Sequence, residues 1–194
     1  RGCLGPLFAL VFICLGLYAA WRLTDGFGGF GLPVRLDLGN TDTEFTYDLA
    51  SLGAQVSPEM YLDECGAQEA EQLRALAKEA PEWAEELEFM ARHIGIYTEE
   101  AVKTALGGAE KTPFVLLTPF REPDESGLDA RIELEEGELP YLLQYDARWC
   151  FHGYGSSVMG FTACGPTCLS MAAMGLTGDT SLHPGEVARF SAEK

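Results

Sequence analysis

The stretch from Tyr141 to Gly178 constrains this chain most, because a Gly/Ser-rich loop runs there into one strongly marked helix start at Cys164. Gly155, Ser156, Ser157 and Gly160 make the approach a loop, and Met159 to Ala163 returns the chain to apolar character just before the cysteine. Pro166 reads as a first-turn proline, where the missing N–H leaves no helical bond unmade. Leu169, Ala172 and Ala173 follow at helical spacing, and Gly175 with Gly178 predicts the end of the helix. The Cys164 thiol is therefore expected at a helix N-terminus. The unsatisfied N–H groups and the dipole favour an anion there, and the thiolate is the nucleophilic form of cysteine.

Upstream, Gln144 interrupts an apolar run between Leu143 and Tyr145. A side-chain amide near the thiolate, together with the cysteine's own N–H, is the donor pair that holds the oxyanion of a tetrahedral intermediate. The alternative is that Cys164 is a small buried residue at a helix start and Gln144 an exposed strand residue.

The wider pattern is more specific. Gln144-Tyr145-Asp146 with Arg148-Trp149, then Tyr154-Gly155-Ser156, then Cys164-Gly165-Pro166-Thr167 followed by Leu176-Thr177-Gly178 resembles the start of the bacterial papain-like cysteine peptidase domain related to the bacteriocin-processing (double-glycine) peptidases. The resemblance covers residues 139–194. It implies Cys164 as nucleophile, Gln144 as completing the oxyanion hole, a peptide or protein substrate, and no metal or organic cofactor. Ala163 stands where many relatives have glycine, and Cys150 follows Trp149 where glycine is usual. In that family the general-base histidine and its Asp/Asn partner come well downstream of the point reached at Lys194. The expectation is a fragment clipped at both ends, with an incomplete triad and no activity by itself.

Composition narrows the partners. With 30 acidic against 13 basic side chains and a net charge of -17, the chain repels phosphate, so nucleic acid is excluded as a partner. Residues 2–21 carry no charge, and at about 1.5 Å per residue they span roughly the 30 Å of a bilayer core. They are read as a single membrane anchor, against the alternative of a cleaved signal peptide, whose apolar core is shorter. Arg1 and Arg22 flank the run symmetrically and do not orient it; the acidic body favours the outside. The expected location is the cell membrane, single-pass, with the catalytic part extracellular.

The rest divides as 1–22 anchor, 23–33 glycine-rich spacer, 34–138 a helix-rich region with an acidic linker, and 139–194 the start of the peptidase domain. Val34, Leu36 and Leu38, then Phe45, Tyr47 and Leu49, alternate as short strands would. Helical patterns run from Gln68 to Leu106, with Pro81 opening one helix and Thr98 capping another. Phe114 to Leu117 reads as a buried strand, and Glu122 to Glu138 as an acidic linker without the spacing of a calcium loop. Cys168 is expected to pack one turn inside the helix, and Cys65 and Cys150 are the one pair free to bridge. His183 reads as a helix-start residue; His93 and His152 are weak candidates for a base.

The expected fold is α+β: an N-terminal transmembrane helix, a helix-rich region, then the nucleophile-helix part of a papain-like fold. Two alternatives to peptide hydrolysis stay open, a Cys-dependent amidase or acyltransferase acting on cell-wall material, and a non-catalytic surface binding or adaptor module.

Overall fold

Local chemistry sets the helix starts in a computed structural model that describes residues 35–37, 41–125, 130–134 and 138–192. The Asp48 carboxylate accepts from the Ser51 N–H at 2.7 Å and opens α1, Leu49–Gln55. Glu69 reaches back to the Gly66 N–H at 2.9 Å at the start of α2, Ala67–Glu79. A turn at Pro81–Trp83 leads into α3, Ala84–Arg92. The Thr98 hydroxyl accepts from Ala101 N–H at 3.2 Å and caps α4, Glu99–Leu106. Pro113 lies in the first turn of α5, Thr112–Leu117, all six residues of which are buried.

These helices share one core. Leu73, Leu87, Met90, Ala105 and Phe114 are inaccessible to solvent at its centre. Each large apolar side chain buried this way contributes on the order of 1.5–3 kcal/mol. The second part of the chain builds a smaller core from Leu142, Trp149, Met159, Ala163, Met174 and Ala188. It is carried by the short α6, Met159–Thr162, by α7, Cys164–Thr177, and by α8, Pro184–Ala192. Within the first core, Phe114 meets aromatic residues from the second part of the chain, its ring 4.9 Å from Phe161 and 5.4 Å from Phe151. A Cβ on Gly160 would fall 2.1 Å from the Phe114 ring, so this position holds α6 against α5 only as glycine.

The described strands are few and short. β1, Arg35–Asp37, pairs in parallel with β2, Glu138–Pro140, in the register Leu36 to Leu139. β3, Gly153–Tyr154, pairs antiparallel with β4, Ser157–Val158, around Gly155 at φ 65°.

Several expectations are corrected. The α+β class with a leading transmembrane helix gives way to a helix-rich fold. Among the described residues no helix is long and apolar enough to cross a membrane, and the strands number only two or three residues each. The membrane reading of residues 2–21, and with it the single-pass membrane location, draws no support from the described residues. That run and the spacer 23–33 lie outside them. The buried strand expected at Phe114 to Leu117 is helix α5. Four apolar residues do not separate strand from helix by periodicity, and Pro113 in a first turn decides for the helix. The short strand expected over Phe45, Tyr47 and Leu49 does not form: Phe45 and Tyr47 join no described strand, and Leu49 begins α1 after the Asp48 cap.

Candidate functional site

The segment that carries Gln144 is held by a buried charge pair. Asp146 is fully buried, and its carboxylate accepts from Arg148 Nε at 2.8 Å, Arg148 Nη2 at 2.7 Å, the Arg148 N–H at 3.0 Å and the Asp42 N–H at 2.8 Å. Four donors onto one carboxylate satisfy the charge that burial leaves without water. The Arg148 guanidinium also lies 4.6 Å over the Trp149 ring, and Trp149 Nε1 donates to the Leu143 carbonyl at 2.8 Å. The Asp146, Arg148 and Trp149 side chains therefore fix the backbone of Leu142 to Tyr145, and with it the place of Gln144.

Cys164 is the first residue of α7. Pro166 sits in that first turn, and Gly178 ends the helix in the left-handed region at φ 70°, donating its N–H to the Met174 carbonyl at 2.7 Å. The Cys164 side chain is exposed. It opens into a cleft of about 420 Å³ formed by the α4–α5 junction, the Leu142 to Tyr145 segment and the first two turns of α7. Gln144, Gly160, Thr167 and Cys168 line the same cleft. The two residues singled out in the sequence are thus brought together in one cavity.

Gln144 is not free within it. Its Nε2 donates to the Gly160 carbonyl at 2.9 Å and to the Phe161 carbonyl at 3.4 Å, so both amide protons are spent on α6. As it stands the side chain ties α6 to the cleft floor. An oxyanion role requires it to release one of those carbonyls.

No histidine lines the cleft. The His93 ring lies 4.7 Å from Phe89 in a different depression, and burial together with Arg92 pushes its pKa down. His152 is buried, and its Nδ1 has no hydrogen-bond partner. His183 accepts the Glu186 N–H on Nδ1 at 3.3 Å and caps α8, the helix-start role expected for it.

Cys168 does not pack as expected. It is exposed and faces the cleft one turn beyond Cys164, because the inward positions of this helix are taken by Thr167, Ser170 and Met174. Cys65 and Cys150 are both free thiols and both buried, and burial pushes the pKa of each up.

The cleft also holds residues that sequence reasoning passed over. Lys103 and Lys111 line it, and among the described residues no Asp or Glu does. Lys103 pairs with Glu99 at 2.6 Å, which pushes its pKa up, and Lys111 Nζ donates to the Gly107 carbonyl at 3.3 Å. Tyr145 lines the same wall; burial, then the Glu110 carboxylate beside it, pushes its phenol up to about 12. Thr167 is 3% exposed, and its hydroxyl has no hydrogen-bond partner. The scarcity of cations in an acidic chain was the one signal available. It becomes a signal about the site only when the fold sets the α4–α5 junction opposite α7. Among the described residues no group of three or more His, Cys, Asp and Glu is placed to hold a metal ion.

Comparison of the chain with protein-family models, with curated proteins and with solved structures gave no match.

Proposed function

We propose that the protein is a cysteine-dependent hydrolase of the peptidase type, with Cys164 as its nucleophile. The observation that carries this reading is the exposed thiol at the first position of a 14-residue helix, opening into a cleft that Gln144 also lines. The first-turn N–H groups of a helix have no intrahelical acceptor, so they and the dipole favour the negative charge of an oxyanion at this spot. The resemblance of the Gln144 to Gly178 residues to the papain-like peptidases points the same way.

In this reading the thiolate attacks a peptide carbonyl, forming a C–S bond and an oxyanion held by the Cys164 N–H and by Gln144 once it turns from Gly160. Collapse breaks the C–N bond as the leaving amine takes a proton, and water then hydrolyses the thioester. The proton carrier has to reach the cleft from elsewhere, since His93, His152 and His183 do not line it.

A second reading, a non-catalytic binding module, draws on a different observation. The outer face of α7 exposes Leu169 and Leu176, and Phe190 on α8 is exposed as well. Apolar side chains in such number on adjacent helices suit a partner surface. One experiment separates the two: turnover of a peptide substrate library by the full-length protein, with Cys164→Ala as control. The peptidase reading expects turnover that vanishes in the variant. No turnover, or turnover unchanged in the variant, puts the binding module ahead.

A further inference from the structure

The chain has more than twice as many acidic as basic side chains, 30 against 13, yet the described residues that line the cleft beside Cys164 include two lysines and no carboxylate. Three further features of that cleft favour an anion. The positive end of α7 faces it. Thr167, on the wall, keeps a buried hydroxyl with no hydrogen-bond partner. Lys111 uses one ammonium proton on the Gly107 carbonyl and has two left to donate. Two acidic groups beside the lining residues are turned to other work, Glu99 on Lys103 and Glu110 beside Tyr145.

We propose that this cleft takes an acyl donor bearing a carboxylate close to its reactive carbonyl, held by Lys103, Lys111 and the first turn of α7. The inference rests on Cys164 being the nucleophile and adds the charge of what it attacks. A cationic patch in an acidic molecule focuses anions locally: the rest of the surface repels them, so those that arrive concentrate at the cleft. A substrate carboxylate would take over Lys103 from Glu99, an exchange between two exposed ion pairs that costs little.

The test uses two alkylating agents of one chemistry and different charge. In each, the Cys164 sulfur forms a bond to the CH2 carbon and iodide leaves; iodoacetate is an anion and iodoacetamide is neutral. The ratio of their rates at Cys164, read by peptide mapping at low salt, should exceed that of the urea-unfolded chain by roughly three- to tenfold. It should fall to the unfolded value in the double variant Lys103→Gln with Lys111→Gln, and stay unchanged in Arg74→Gln, which alters a cation outside the cleft. A wild-type ratio equal to that of the unfolded chain, or a ratio unmoved by the double variant, overturns the proposal. Slow labelling of Cys164 by neutral iodoacetamide with the ratio still high would instead sink the nucleophile reading and leave the anion site standing. Protection of Cys164 by an acetylated alanyl-glutamyl amide assigns the carboxylate to an acidic side chain. Protection by acetyl-alanyl-glutamine assigns it to a chain terminus, and protection by neither overturns the proposal.

Discussion

The Gln144 side chain donates to the Gly160 carbonyl at 2.9 Å, which ties the cleft floor to the short helix that leads into Cys164. One residue thereby carries two duties, and substitution separates them. Gln144→Ala loses two hydrogen bonds to backbone carbonyls and should cost about 1–3 kcal/mol in urea unfolding, at roughly 0.5–1.5 kcal/mol per bond. If Gln144 also serves the oxyanion, turnover falls by roughly 10²- to 10³-fold. Unchanged stability would show that the tie to α6 contributes nothing.

Gly160 tests the same tie from the other side. Gly160→Ala drives a methyl into the Phe114 ring and should destabilise by about 1–3 kcal/mol, the usual effect of overpacking. Phe114→Leu added to it should recover part of that loss, measured as a negative coupling in a double-variant cycle. Strict additivity would mean the two residues do not meet.

The buried charge pair makes a larger prediction. Arg148→Ala strips at least three side-chain hydrogen bonds, two of them from the fully buried Asp146 carboxylate, and should cost about 3–5 kcal/mol. Arg121→Ala, which breaks a half-exposed pair with Asp124, should cost under about 1 kcal/mol of pairing energy. Thermal or urea unfolding of the two variants ranks them, and equal losses would contradict the assignment of Asp146 and Arg148 as the anchor of the Gln144 segment.

How much of this could be read from residues alone depends on whether the signal was local. The α7 helix was legible from Pro166 and Gly178, α4 from the Thr98 cap, and α8 from His183, because caps and breakers act within a few residues. The α5 helix was not, since Phe114 to Leu117 is apolar on every side and carries no period. In the site, the nearness of Cys164 and Gln144 was legible as a motif. The direction of the Gln144 amide was not, because it depends on where the Gly160 and Phe161 carbonyls end up. The facing of Cys168 and the two lysines into the cleft depends on tertiary packing that no spacing encodes.

Alkaline titration tests the cleft wall. Burial and Glu110 raise Tyr145 to about 12, against about 10 for a free phenol. A raised folded-state value means the stabilisation is fully present below about pH 10 and is lost as pH rises through about 12. Tyr47, raised by burial and by its hydrogen bond to Glu86 at 2.9 Å, acts in the same direction. Phenolate absorbance should therefore lag that of the unfolded chain above pH 10 and converge with it as the fold is lost. Superimposable curves would contradict the burial of these phenols.

The most direct measurement concerns Cys164 and Cys168 together. Both are exposed and both line one cleft, so access does not distinguish them. Only Cys164 sits at the helix end, where the dipole and the free N–H groups act before fading within a turn. Iodoacetamide at about pH 6, followed by peptide mapping of the full-length protein, should label Cys164 well before Cys168, with the buried Cys65 and Cys150 last. Equal rates at Cys164 and Cys168 would contradict the account of Cys164 as an activated nucleophile.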